Sequence, residues 1–164
     1  MLAETSPPPT TLYKQAQRII TEQGWSIVPL IGKRPPSGFV WSAYQQRQPT
    51  QTEVDEWFDL YEPTGIGIIG GAVSGLAIIE FDTLEAYCAF HDAFPHLTKT
   101  YTVRSGGRGL PHLYFTVSEP VANIEGDWGS VRCEGKYVVG AFSEVKGKTY
   151  DLINDVPPLE LTPD

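Results

Sequence analysis

The stretch Ile78-Ile79-Glu80-Phe81-Asp82 decides how this chain is read: an apolar run that closes on two acids. Such a run, bounded by turn residues, has the length and composition of a buried strand. Along a strand, residues i and i+2 face the same way, about 6.6–7 Å apart. Glu80 and Asp82 thus present two carboxylates side by side, a donor set suited to hard divalent cations such as Mg²⁺ or Mn²⁺. About twenty residues on, Ser105-Gly106-Gly107-Arg108-Gly109 forms a glycine-rich turn. It leads into a second apolar strand that opens with a histidine, His112-Leu113-Tyr114-Phe115. Backbone N–H groups in such a turn, beside a base, make a phosphate cradle. Each piece alone also fits a plain strand end, a plain loop and a packed histidine. Together, on neighbouring strands, they point to phosphoryl or nucleotidyl transfer.

Working outward, Thr10 or Thr11 can cap a helix with Leu12, Ala16, Ile19 and Ile20 on its apolar face, ended by Gly24. A strand is predicted over Trp25–Leu30, then a proline-rich loop to Phe39. Thr52-Glu53-Val54-Asp55 reads as a capping box opening a short helix with Val54, Trp57 and Phe58 inward. Ile66–Ile69 and Leu76–Phe81 are expected to form a glycine-rich hairpin, and Thr83 to cap a helix reaching Phe94. Further strands are predicted near 100–104, 112–117, 130–133, 137–141 and 149–153. Strands that follow one another through short loops give an α+β domain with a mostly antiparallel sheet.

The chain has 164 residues, enough for one domain with a substantial core. Cys88 and Cys133 lack paired-cysteine spacing, so neither a zinc site nor a disulfide framework is indicated. No apolar stretch approaches a membrane span and no signal peptide is recognisable, so a cytoplasmic protein is expected. The net charge of −8 is unevenly spread. From Glu53 to Asp92 there are nine acids and no Lys or Arg, whereas from Ala93 to Tyr150 seven bases face five acids. This balance argues against tight duplex binding through many phosphate contacts and leaves a weak or assisted grip on a template open. It suits a metal in the first segment and phosphates in the second.

The order of these pieces resembles the primase–polymerase (prim-pol) domain of the archaeo-eukaryotic primase superfamily, found in plasmid and phage replication proteins. The likeness runs from Gly24-Trp25 through Val28-Pro29-Leu30, Lys33-Arg34-Pro35, Trp41, Trp57, Gly65-Ile66-Gly67-Ile68 and Ser74-Gly75-Leu76. Glu80-Phe81-Asp82 stands where that family carries its metal-binding acids, and Ser105-Gly106-Gly107 with His112 at its histidine motif. Val131-Arg132, Gly135, Tyr137-Val138-Val139, Ser143, Gly147 and Tyr150 follow its closing pattern.

The resemblance implies a primase-type catalytic domain over residues 10–153, with an RRM-like sheet, flanking helices and a small N-terminal αβ unit. Residues 1–9 would be a flexible leader and 154–164 a tail or the start of a linker. It implies a template-dependent DNA primase/polymerase using (d)NTPs, a single-stranded template and primer, and Mg²⁺ or Mn²⁺. A monomer is expected, with a replicative helicase in cis or trans, since the chain has no Walker-type motif of its own. Glu80 and Asp82 would hold metal, and with His112 form the catalytic set. Ser105, Gly106, Gly107, His112, Arg132, Ser143 and Lys148 would line the nucleotide phosphates. Lys33, Arg34 and Arg108 are candidate template contacts, and Tyr114 is read as core. The family's third acid, just before Val131-Arg132, is here Ser130, a poor Mg²⁺ ligand; Asp127 is the other candidate for that place. The alternatives are a catalytically degenerate nucleotide- or nucleic-acid-binding module and a metal-dependent nuclease.

Overall fold

The computed structural model describes residues 10–162; the leader expected over 1–9 lies outside the described residues. The chain opens with helix α1 (Thr11–Arg18), whose N-cap Thr10 accepts a hydrogen bond from the Tyr13 N–H. A π-helical turn, Ile19–Gln23, extends it to Gly24, whose positive φ of 74° closes the helix as a glycine can. Strand β1 (Ile27–Leu30) follows, then the proline-rich loop and a 3₁₀ turn, and helix α2 (Gln51–Tyr61).

The capping box of α2 is Thr50 with Glu53, two residues earlier than the expected Thr52–Asp55 pair. Glu53 wins because its carboxylate also receives the Tyr44 hydroxyl at 2.5 Å and the Arg47 guanidinium at 2.7 Å. The Arg47 pairing, opposed by partial burial and helped by Tyr44, holds the Glu53 carboxyl down at about 2. A depressed carboxylate stabilises the fold above its unfolded value, near 4.3, and loses that contribution as pH falls through about 2. Arg47 is exposed, so solvent screening leaves a stabilisation of about 1 kcal/mol. Glu53→Gln is expected to lower the unfolding free energy by about that much at pH 7 and to match the wild type at pH 2 in urea titrations. An equal loss at both pH values would trace the effect to packing rather than charge.

Two sheets carry the rest. Strands β2 (Gly65–Ile69) and β8 (Tyr137–Val139) join β1 in a three-stranded sheet ordered β1-β2-β8. The larger sheet contains β3 (Leu76–Phe81), β4 (Thr102–Arg104), β5 (Pro111–Thr116), β6 (Ile124–Gly126), β7 (Gly129–Arg132) and β11 (Asp151–Asn154). Its order is β11-β4-β5-β3-β7-β6, all antiparallel, and the short β12 (Leu159–Glu160) adds parallel to β5. Between them β9 (Glu144–Val145) and β10 (Lys148–Thr149) form a small hairpin. The chain is therefore a mixed α/β protein with mostly antiparallel sheets.

The expected hairpin of Ile66–Ile69 with Leu76–Phe81 does not form. β2 pairs with β1 and β8, whereas β3 pairs with β5 and β7; only an isolated bridge, Gly71–Leu76, closes the glycine-rich turn. Both strands are central and nearly continuous in hydrophobicity, so apolarity marks them as buried without naming a partner. The turn carries the chain from one sheet to the other.

The main core lies between the sheets and includes Ile27, Leu30, Ile66 and Ile68 from one, and Leu76, Ile78, Val103 and Tyr114 from the other. Tyr114 is fully buried against Trp25 and Tyr101, as core. The opposite face of the large sheet presents Phe81, Leu113 and Phe115 to helix α3 (Leu84–Ala93), capped by Thr83. Alternation along β3 thus sends Ile79 and Phe81 to the α3 side and Leu76, Ile78 and Glu80 to the side of the small sheet. Glu80 stands where that inter-sheet core opens.

Candidate active site

Strand register assembles the site. Glu80 lies opposite His112 of β5 on one side and Ser130 of β7 on the other. Directly opposed residues of an antiparallel pair share a face, so the three side chains form one row across the sheet. Arg132, two residues beyond Ser130, reaches diagonally, and its Nε donates to Glu80 Oε2 at 3.1 Å. The Ser130 hydroxyl donates to the same oxygen at 3.4 Å. Asp82 follows the end of β3, its N–H bonded to the Trp128 carbonyl at 2.8 Å.

The glycine-rich turn folds down onto this row. Its base is closed by Ser105 N–H to the Leu110 carbonyl at 3.0 Å. Arg108, from the turn, donates to the Asp82 carbonyl oxygen at 2.8 Å and pairs with Asp82 Oδ1 at 3.2 Å. Each of the two acids therefore has its own arginine.

His112 is buried, and its Nδ1 lies 3.9 Å from Glu80 Oε1, too far for a hydrogen bond; among the described residues that nitrogen has no hydrogen-bond partner. Burial pushes the imidazole below its ordinary range; Glu80 pulls the other way, and Arg132 and Lys33 push down again. The ring is neutral at pH 7, one nitrogen donating and one accepting. Tyr150 meets it edge-on, with ring centroids 6.0 Å apart.

These groups open on a cavity of about 690 Å³ between the two sheets. Glu80, Asp82, His112 and Arg132 form one wall with Ser105, Gly107 and Arg108 above them, and Lys33 stands across. Ser130 is buried beside Glu80 and does not line the cavity. Other expected residues are placed elsewhere. Ser143 is fully buried, its hydroxyl accepting from the Ile66 N–H at 3.0 Å and so tying the chain to β2. Gly106 packs on the Lys148 backbone, where a Cβ would meet the Lys148 carbonyl oxygen at 2.9 Å. Lys148, Arg34 and Asp127 are exposed and do not line the cavity. Sequence reasoning passed over Trp41, Lys136, Tyr137 and Tyr150 as cavity residues. Tyr137 is followed by the buried Val138 and Val139, and Tyr150 is itself buried, so nothing local distinguishes a cavity wall from core.

Lys33, Arg108, Arg132 and Lys136 set four positive charges against Glu80 and Asp82 in the cavity lining. A locally cationic cleft in a chain of net charge −8 attracts an anionic ligand carrying phosphates. A sequence-family model for the N-terminal domain of bifunctional DNA primase/polymerases (Prim-Pol) matches residues 16–164. The chain belongs to the Prim-Pol family. No curated protein matches it. Membership assigns this Prim-Pol domain a primase/polymerase-type role in DNA replication, with nucleotides and DNA as the implied substrates. Among the described residues, no helix is long and apolar enough to cross a membrane.

Prim-Pol enzymes generally use divalent metal ions. Among the described residues, no group of three or more His, Cys, Asp and Glu side chains is disposed to hold one. Two carboxylates on one cavity wall nevertheless fit Mg²⁺ or Mn²⁺, because such ions bind nucleotide enzymes through one or two carboxylates, substrate phosphates and water.

Proposed function

We propose that this domain is a template-dependent DNA primase/polymerase that transfers nucleotidyl groups from (d)NTPs to a primer paired with a single-stranded template. The observation that carries this reading is the convergence of Glu80, Asp82, His112, Arg108 and Arg132 on one cationic cavity in a Prim-Pol chain. In the reaction the primer 3′-hydroxyl gives up its proton to solvent as its oxygen bonds to the α-phosphorus, the bond to the β-phosphate bridge breaks, and pyrophosphate leaves. Glu80 and Asp82 would hold Mg²⁺ or Mn²⁺, which supplies charge stabilisation at the attacking and leaving oxygens.

The rest is positioning. Arg132 and Arg108 can each exchange a carboxylate for phosphate oxygens, for which the guanidinium fork is suited. The neutral His112 can donate one ring N–H to a phosphate oxygen without a protonation step. Gly107 brings a backbone amide and Ser105 a hydroxyl to the same wall. Lys33 is placed for template or triphosphate. A monomer working with a helicase in cis or trans completes the proposal.

Primer extension on a single-stranded template, with Mn²⁺, Mg²⁺ or EDTA, tests it. Metal-dependent elongation is expected. A second reading, a nucleotide-binding module without catalysis, is favoured by Ser130 at the third-acid position and by the Glu80–Arg132 pair. Measurable dNTP binding without product at any metal would select it. Cleavage of single-stranded DNA without dNTP would instead identify a nuclease.

Ser130→Asp tests the missing acid directly. A third carboxylate beside Glu80 adds ligand charge, and the Mn²⁺ dissociation constant is expected to fall about tenfold by titration calorimetry. Weaker metal binding together with lower incorporation would remove Ser130 from the metal site.

A further inference from the structure

Opposite the acids, the cavity wall is aromatic, and nothing in the proposed phosphate chemistry uses it. Tyr137 stands at the start of β8, an edge strand of the small sheet. Its ring lies over Gly67 of β2, where a Cβ would come within 2.9 Å of Tyr137 Cδ2. Its hydroxyl donates to the Lys33 carbonyl at 2.8 Å. The ring is thus fixed from below by a residue without a side chain and at its tip by a backbone acceptor. Trp41 meets it at 87°, with centroids 5.3 Å apart. Both rings line the cavity and both are only half-buried. Lys33 and Lys136 flank them.

We infer that Trp41 and Tyr137 form a preorganised stacking corner for a nucleobase, while the phosphates of the same strand or nucleotide lie toward Arg132, Arg108 and His112. This rests on the phosphate reading given above and extends it to the other end of the ligand. Two rigid rings at right angles let a flat base stack on one and meet the other edge-on, both favoured aromatic geometries. Stacking reads no hydrogen-bond pattern, so all four bases are accepted, as a template-directed enzyme requires. A wall holding two aromatics and two lysines also has the composition of single-strand binding surfaces. The ligand is a nucleobase, and its source is either the incoming nucleotide or the templating strand.

The test measures binding, without turnover, of three probes in the presence of Ca²⁺: dNTP, inorganic tripolyphosphate and a short single-stranded oligonucleotide. Trp41→Leu is expected to weaken dNTP, oligonucleotide or both by about tenfold or more while leaving tripolyphosphate within about twofold. Loss confined to dNTP assigns the corner to the incoming base, and loss confined to the oligonucleotide assigns it to the template. Trp41→Phe, which keeps a stacking face, is expected to restore most of the loss, and the unchanged tripolyphosphate binding of Trp41→Leu shows that the leucine variant is folded at the site. Wild-type protein that binds tripolyphosphate, with Trp41→Leu equal to it for dNTP and oligonucleotide, overturns the corner alone. Wild-type protein that binds none of the three probes overturns the phosphate reading and this inference with it.

Discussion

Asp82→Asn is expected to reduce metal-dependent dNTP incorporation about a thousandfold and to leave the unfolding midpoint within about 2 °C. The size follows from the charge stabilisation that a metal supplies to an in-line displacement, about 4 kcal/mol, at tenfold per 1.36 kcal/mol. An amide keeps the shape but loses the charge, and a neutral oxygen is a weak ligand for a hard cation. Stability is spared because the Asp82 side chain is exposed and its one partner, Arg108, is exposed too. Such a pair is worth under 1 kcal/mol, and the helix cap is the neighbouring Thr83, which is untouched. Freed from Asp82, Arg108 remains available to phosphate, so dNTP binding falls far less than incorporation. Primer extension and a binding titration on the same preparation separate the two quantities. Full incorporation by the variant would place the metal away from Asp82.

How much of this was legible in the sequence depended on whether local pattern or long-range pairing carried the information. The acidic end of β3 and the histidine opening β5 were legible, because alternation fixes which side chains share a face. The sequence order set them on neighbouring strands, and the register Glu80–His112 makes those strands direct partners. The partner of Leu76–Phe81 was not legible: two buried strands joined by a glycine-rich turn look like a hairpin whether they pair or part. The capping box slipped by two residues because Thr50-x-x-Glu53 and Thr52-x-x-Asp55 both fit the pattern. Tyr44 and Arg47, which favour the first, act through tertiary contacts. Ser143 carried a family position but no clue to its orientation, and it turns inward to bond β2. Trp41 and Tyr137 are far apart in sequence and meet only because the small sheet brings β8 beside the loop after β1.

Gly129→Ala is the substitution expected to cost most in stability, and it acts through β3, the strand that carries Glu80. Gly129 has a φ of 147°, a backbone region that side chains disfavour. It pairs with Phe81, and a Cβ placed on it would lie 2.0 Å from the Glu80 carbonyl oxygen and 2.9 Å from the Phe81 Cα. Both obstacles are backbone, so no rotamer change relieves them; β3 and β7 must separate. Conformational strain and overpacking together cost about 4 kcal/mol. For a chain of this size that lowers the midpoint by roughly 8–16 °C. The displacement also moves Glu80 away from Ser130 and Arg132, whose contacts with it depend on the Glu80–Ser130 register. Gly129→Ala should therefore weaken triphosphate binding as well as incorporation, whereas Asp82→Asn mainly removes the second. Calorimetric unfolding beside a dNTP titration gives both readings. A variant as stable as the wild type would mean that β7 accommodates a side chain beside Glu80, and the close approach that sets this wall of the cavity would have to be redrawn.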